Sequence, residues 1–289
     1  MTPPAHQPQH FETGLTPTWC PGCGNLALWT AVKNVLAHST IPQHDVVVVF
    51  DIGCSGNGSN FINTYAFHGL HGRSLPLATG LALANHRVKT IVISGDGAGY
   101  GEGLSHFLHT MRANPNVTYI VEDNQVYGLT KGQTSPTSMQ GFHSDSTPSG
   151  SLEEPLNPIA LALAGDASFV ARGFAGDLKH LQEILTAAIA HPGFALVDVF
   201  QPCVTFNHVN TYAWFYQRVV KLDQLGHPTD DKNAAWLQAT GTGEKFPIGI
   251  FYQHARPTYQ DGLPQLKDRA LADQHLEPVD LRPLLAAFA

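Results

Sequence analysis

The stretch from Val88 to Gln133 constrains the fold more than any other part of the chain. It opens with VKTIVISGDGAGYGEG and closes with VTYIVEDNQVYGLTKGQ. Thr90–Ile93 is a short β-branched run bounded by glycine, as a strand buried on both faces of a parallel sheet would be. It empties into Gly95-Asp96-Gly97, where glycine permits a sharp turn and a close backbone approach to a ligand. The following residues open a helix, whose first free N–H groups favour an anion, usually phosphate. A second run, Val117–Val121, ends in Glu122-Asp123-Asn124. Asp96 and Asn124 thus belong at the carboxyl ends of two strands, where open α/β sheets bind ligands. Their hard oxygens suit magnesium shared with phosphate. Taken alone, Gly-Asp-Gly is equally well a bare strand-to-helix turn.

The same alternation continues on either side. Leu26–Leu36 carries apolar residues at helical spacing. Val46–Phe50 reads as a buried strand that ends in Asp51-Ile52-Gly53-Cys54-Ser55, and Leu75–Ala84 as an apolar helix rich in small residues. Pro158–Ala164, Ser168–Ala171, Asp177–Ala190 and Ala195–Phe200 read as helix, strand, helix, strand, with Asp177 as an N-cap. The alternation implies an α/β fold, one mostly parallel sheet with helices on both faces. Residues 1–14 read as a flexible tail and 15–209 as the binding domain. Within it, 134–157 is rich in Ser, Thr, Pro, Gly and His, the composition of a long surface loop. Residues 210–289, aromatic and weakly periodic, read as a C-terminal arm packing on the domain or on a partner subunit.

Of 289 residues, 43% are hydrophobic and 13% charged, enough for a substantial core. A net charge of −7 and the lack of a basic run argue against a nucleic-acid partner. No apolar stretch reaches the roughly 20 residues that span a bilayer. The N-terminal MTPPAHQPQHFETG lacks the charged and apolar regions of a signal peptide. A cytoplasmic location is the expectation. Structural disulfides are then improbable, and the four cysteines need another role.

Gly-Asp-Gly followed by Asn124 resembles the thiamine-diphosphate fingerprint. The resemblance implies that Asp96, Asn124 and the backbone carbonyl of Val126 hold Mg2+ on the diphosphate. Asp123 departs from the pattern, since many members have two Asn in a row.

Cys20 and Cys23 form a C-x-x-C pair. From spacing alone, a redox pair, half of a zinc site, an iron–sulfur site and a chance pair all stand, with zinc and iron–sulfur level. Placement shifts this. Cys54 and Cys203 each follow a predicted strand end, as Asp96 and Asn124 do, so all four thiols can meet at one sheet edge. A thiolate quartet beside a thiamine site is better explained by electron transfer than by zinc, which has no redox chemistry.

TWCPGCGN, DIGCSG, HGLHGRSLPLATGLALAN, SGDG, DNQVYGLTKGQTSPTS and QPCVTFN, spread in order over residues 18–207, are similar to the β subunit of a 2-oxoacid:ferredoxin oxidoreductase. The resemblance implies one 4Fe-4S cluster on Cys20, Cys23, Cys54 and Cys203. It implies that Ile52, Gly53, Cys54, Ser55, His71, Gly95, Gly97, Gly128 and Leu129 touch thiamine diphosphate. It further implies reversible, coenzyme A-dependent oxidative decarboxylation of a 2-oxoacid, with electrons passed to ferredoxin. An α subunit would supply the aminopyrimidine half of the site, in an α2β2 assembly, and this chain alone would be inactive. KGQ around Lys131 resembles members that use 2-oxoglutarate, with Lys131 reading the distal carboxylate; a solvated loop lysine is the plainer reading.

His71 reads as a hydrogen-bond donor to phosphate. Glu102 reads as a helix-start residue favoured by the dipole. The pairs His68/His71 and His106/His109 lack a nearby third ligand. Two other functions remain open: a non-redox thiamine decarboxylase or synthase with a structural zinc, and an iron–sulfur redox-sensing binding protein that has lost catalysis.

Overall fold

The computed structural model describes residues 6–241, 243–274 and 280–288. From the amino end, helix α1 (Gly24–His38) leads into β1 (Val46–Phe50), whose four valines and phenylalanine are all buried. The short β2 (Tyr65–His68) follows, then α2 (Ser74–Ala84), β3 (Lys89–Gly95), α3 (Leu104–Ala113) and β4 (Val117–Asp123). A small hairpin, β5 (Val126–Tyr127) and β6 (Gln133–Thr134), stands apart from the main sheet. Beyond it come α4 (Pro158–Ala164), β7 (Phe169–Phe174), α5 (Leu178–Ala190) and β8 (Phe194–Phe200). The last part holds α6 (Tyr212–Tyr216), β9 (Val219–Lys221), α7 (Lys232–Thr240), β10 (Phe246–Gln253) and α8 (Arg282–Ala286).

The main sheet runs β2-β1-β3-β4-β8-β7-β10-β9. Every pair from β2 to β7 is parallel; β10 joins β7 antiparallel, and β9 lies parallel to β10. Two apolar cores flank it. One packs α1 and α5 on the sheet through Leu28, Val32, Leu181 and Leu185. The other packs α2, α3 and α4 on the opposite face through Leu75, Phe107, Met111 and Ile159. The fold is therefore α/β with helices on both faces, as the alternation requires. Asp177 caps α5, accepting from the His180 N–H at 3.1 Å. Among the described residues no helix is long and apolar enough to cross a membrane.

Three segments differ from their sequence reading. Residues 6–14 are not a free tail. Phe11 is fully buried in the α1 core, and Glu12 pairs with Lys33 and bridges to Ile62. One aromatic anchors a polar stretch that has no periodicity of its own. The 134–157 segment is not wholly a surface loop, because Ser135, Thr137 and Ser138 are buried against strand ends. After residue 209 the chain does more than pack on the outside: β9 and β10 extend the sheet. Pro247 and Gly249 hide β10 in the sequence. Proline is tolerated at a sheet edge, and here it pairs with the terminal strand β9.

Candidate active site

Register brings the site together. Phe50 pairs with Ile93, Gly95 with Glu122, and Asp123 with Phe200. Four strands thus end at one level, delivering Asp51–Ser55, Asp96, Asn124 and Gln201–Cys203 to a single rim. Gln201 N–H donates to the Asp123 carbonyl at 3.0 Å, which continues the ladder past the strand end.

A cleft of about 490 Å³ opens there. Its walls include Ile52, Gly53, Cys54, Ser55, His71, Gly95, Asp96, Gly97, Asn124, Val126, Gly128 and Leu129. Tyr127 lies over the Gly-Asp-Gly turn, its hydroxyl donating to the Gly97 carbonyl at 3.2 Å. A Cβ on Gly97 would collide with that ring, so the turn needs glycine for close approach. Beyond the turn the helix begins with a π-helical turn, Gly97–Glu102, before α3. Such turns recur at functional sites.

Asp96 is buried. Its Oδ2 accepts from Ser135 Oγ at 2.5 Å and Thr137 Oγ1 at 2.6 Å. Burial pushes the Asp96 carboxyl up to about 6, against the pull of those hydroxyls. Thr137 Oγ1 also lies 2.7 Å from Asp123 Oδ1. A hydroxyl has one proton to give. With Asp96 as its acceptor, Asp123 must carry a proton and donate in return. Burial and the nearby Asp198 and Asp96 charges push Asp123 in that direction. A protonated Asp123 donates where an asparagine amide would. Beyond it, Asp198 Oδ2 accepts from Arg172 Nε and Oδ1 from Tyr100 Oη, each at 2.8 Å.

Asn124 Oδ1 accepts from the Val126 N–H at 3.0 Å, closing a turn in which Gln125 takes φ +62. A non-glycine residue there is held against a real cost, as happens where a backbone atom is being aimed. The amide oxygen keeps a second lone pair.

The thiols gather on the same rim. Cys203 and Cys54 both face Gly128, where a Cβ would stand 3.6 and 3.7 Å from their sulfurs. Thr205 Oγ1 donates to Cys20 Sγ at 3.0 Å. The Cys23 end of the pair is tied to the Cys203 loop, since Gly24 N–H donates to the Pro202 carbonyl. Burial pushes the Cys23 and Cys54 thiols up to about 12. Their protons must leave when a metal binds. Among the described residues no three His, Cys, Asp or Glu side chains are arranged to hold a single metal ion.

Comparison with known proteins agrees with this geometry. Residues 51–199 match the thiamine pyrophosphate enzyme C-terminal TPP binding domain. Residues 203–268 match the C-terminal part of the pyruvate ferredoxin oxidoreductase beta chain. The 2-oxoacid:ferredoxin oxidoreductase 1 subunit beta of Aeropyrum pernix is 41% identical over 88% of this chain and 84% of its own. The chain belongs to the β subunits of the 2-oxoacid:ferredoxin oxidoreductases. The 2-oxoglutarate synthase subunit KorB of Archaeoglobus fulgidus is 34% identical, over 91% of this chain and 95% of its own. A solved 2-oxoglutarate:ferredoxin oxidoreductase from Magnetococcus marinus, with 2-oxoglutarate, coenzyme A and succinyl-CoA bound, superposes with a TM-score of 0.91 at 35% identity. It covers 99% of this chain and 97% of that one.

In this β subunit the cleft takes in every residue singled out as a cofactor contact. Lys131 stands apart, exposed near the tip of the β5–β6 hairpin; its neighbour Thr130 lines the cleft. Glu102 is no simple helix-start residue: Gly103 occupies the cap of α3, and Glu102 Oε2 lies 3.0 Å from His71 Nδ1. That contact is at ion-pair distance but out of line for a hydrogen bond.

Sequence reasoning missed two other groups. Buried Asp51 collects Gly72 N–H at 2.8 Å and Ser74 Oγ at 2.5 Å, and so moors the His71 loop to the end of β1. An aspartate straight after VVVVF was the available signal. Glu122, also buried in the cleft wall, accepts from Asn25 Nδ2 at 2.8 Å; burial pushes its carboxyl up to about 8.

Proposed function

We propose that this β subunit, with an α subunit, carries out coenzyme A-dependent oxidative decarboxylation of a 2-oxoacid and passes the electrons to ferredoxin. The favoured substrate is 2-oxoglutarate, with succinyl-CoA and CO2 as products; the reaction is reversible. One observation carries the reading. Cys54 and Gly128 belong both to the cleft wall and to the cysteine cluster, so a redox centre there would adjoin the reacting group.

The residues fit the groups this reading needs. Ser55 Oγ is buried in the cleft wall with no partner among the described residues, an unused donor for thiamine diphosphate. Arg172 pairs with Asp198, and no side-chain cation pairs with buried Asp96 among the described residues, a charge that a divalent cation would offset. Asp96, Asn124 and the Val126 carbonyl would hold Mg2+. Four thiols beside a cleft for thiamine diphosphate would suit a 4Fe-4S cluster, held by Cys thiolates and able to take one electron, better than zinc, which has no redox chemistry. Bound thiamine diphosphate supplies the electron sink for decarboxylation, and the cluster one-electron transfer.

The chain's own part is to hold, aim and exclude. Gly53, Gly95, Gly97 and Gly128 let backbone approach the cofactor, with Ile52, Leu129 and His71 around it. An α2β2 cytoplasmic enzyme is the assembly in view.

Anaerobic purification with the co-expressed α subunit tests the reading. Ferredoxin or viologen reduction would be assayed with 2-oxoglutarate, pyruvate and branched 2-oxoacids. Absence of reduction with all of them, in a complex that holds iron, overturns it.

Lys131→Ala should raise the Michaelis constant for 2-oxoglutarate roughly ten- to a hundredfold, the worth of one charge-assisted hydrogen bond, and spare pyruvate. Equal effects on both substrates would remove Lys131 from substrate recognition. Thr205→Val should lower the cluster's midpoint potential, because a donor to the Cys20 sulfur favours the more negative reduced state. A redox titration followed by electron paramagnetic resonance reads this directly.

A further inference from the structure

The geometry points to Ser135, Thr137 and Ser138 as positioning residues for the metal site. They form a buried hydroxyl clamp that fixes where Asp96 and the Asn124–Val126 turn present their oxygens. The inference rests on the proposed magnesium-held cofactor and adds a determinant of its affinity.

Three contacts define the clamp. Ser135 and Thr137 both donate to Asp96 Oδ2. Among the described residues no side-chain donor reaches Asp96 Oδ1. Both hydroxyls therefore hold one oxygen and leave Oδ1 without a side-chain donor, with the Gly97 N–H also at the carboxylate. Ser138 Oγ donates to the Gln125 carbonyl at 2.5 Å and accepts from the Ser135 N–H at 2.8 Å. Gln125 is the residue at φ +62 between Asn124 and Val126. Holding its carbonyl holds the turn that sets the Asn124 side chain and the Val126 carbonyl. One short segment thus grips both strand ends that supply the metal's oxygens.

Burial makes these bonds count. Ser135, Thr137 and Ser138 are 8%, 3% and 3% exposed, so water cannot replace a lost hydroxyl on Asp96 at no cost. Two donors on one carboxylate oxygen also fix its side-chain rotation. Groups that orient a ligand in this way typically set roughly 10- to 100-fold of metal affinity. Pro136 stiffens the turn, and its carbonyl accepts from the Leu156 N–H at 2.8 Å, which ties the far end of the long segment back to the clamp.

The test measures thiamine diphosphate binding by the purified α–β complex as a function of Mg2+. Thr137→Val should raise the half-saturating Mg2+ concentration at least tenfold, with full binding recovered at high Mg2+. Thr137→Ser, which restores the hydroxyl, should return it to within about twofold of the wild type. Ser135→Ala should give a smaller rise, since Thr137 holds the same oxygen and is itself held by Asp123. A purely structural role would lower the melting temperature of Thr137→Val and leave the Mg2+ dependence where it was; that result overturns the inference. Should Thr137→Val fail to assemble, an unchanged Mg2+ dependence in Ser135→Ala overturns it equally. If the wild-type complex binds the cofactor without Mg2+, the underlying functional reading fails instead.

Discussion

Asp96→Asn in the assembled complex is expected to abolish magnesium-dependent retention of thiamine diphosphate while leaving the protein folded. The loss should exceed the roughly 10- to 100-fold that an orienting group commands, because the proposed direct ligand is removed. The outcome depends on which way the new amide faces. Ser135 and Thr137 both donate to Oδ2, and both are buried. They need an acceptor, so the amide oxygen takes that place. The –NH2 group then occupies the position the proposed metal requires, and a nitrogen carrying two hydrogens cannot bind a cation. Stability should move the other way. In the metal-free protein Asp96 is a buried carboxyl whose charged form burial and the Asp198 charge both disfavour. Removing that charge relieves repulsion in a site shaped by function at the expense of stability. Calorimetric scans of the metal-free complex should show Asp96→Asn melting at or above the wild type. Adding Mg2+ with thiamine diphosphate should raise the wild-type melting temperature alone. A variant that melts lower without metal, or gains as much from the additions, would contradict both halves.

How much of this is legible in the sequence depends on how local each cause is. Val46–Phe50 and Pro158–Ala164 can be read to their observed ends. A four-valine run and an Asn-Pro helix start each carry their own signal. Asp96 and Asn124 are legible because strand periodicity and the parallel fold rule place both at carboxyl ends. The clamp is not. A Ser-Pro-Thr-Ser string has the same composition whether it meets water or caps a carboxyl, Asp96, that lies 39 and 41 positions from Ser135 and Thr137. Asp51 shows the same limit. Its place after a strand can be read, but its partners Gly72 and Ser74 stand 21 and 23 residues on. Phe11 is one aromatic in a polar segment, and only the three-dimensional core shows that it is an anchor. The thiols differ again. Spacing leaves zinc and iron–sulfur level, and it is the shared strand-end position of Cys54 and Cys203 that joins them to the cofactor site.

Cys203→Ser separates the two chemistries proposed to meet at this rim. Cys54 cannot serve for this purpose, because it also forms part of the cleft wall. Cys203 lies behind that wall, 9% exposed, in a small cluster with Val126, Phe142 and Phe206. Serine is close to its size, so packing there should change little, but a neutral hydroxyl is a poor substitute for a thiolate at iron. Iron should fall from about four atoms per β chain to near zero, and the broad visible absorption with it. Ferredoxin reduction should drop to below about 1% of wild type, since the electrons released by decarboxylation would have no one-electron carrier. Magnesium-dependent binding of thiamine diphosphate should stay within about threefold of wild type, because none of its proposed ligands is touched. That split distinguishes the three readings of the cysteines. A structural zinc would appear as zinc in the wild-type protein, and the wild type would reduce no ferredoxin. A redox sensor that has lost catalysis would hold iron and bind no cofactor. Should Cys203→Ser keep both its iron and its ferredoxin reduction, the fourth thiol does not belong to the cluster, and the link between the end of β8 and the cofactor cleft has no electronic meaning.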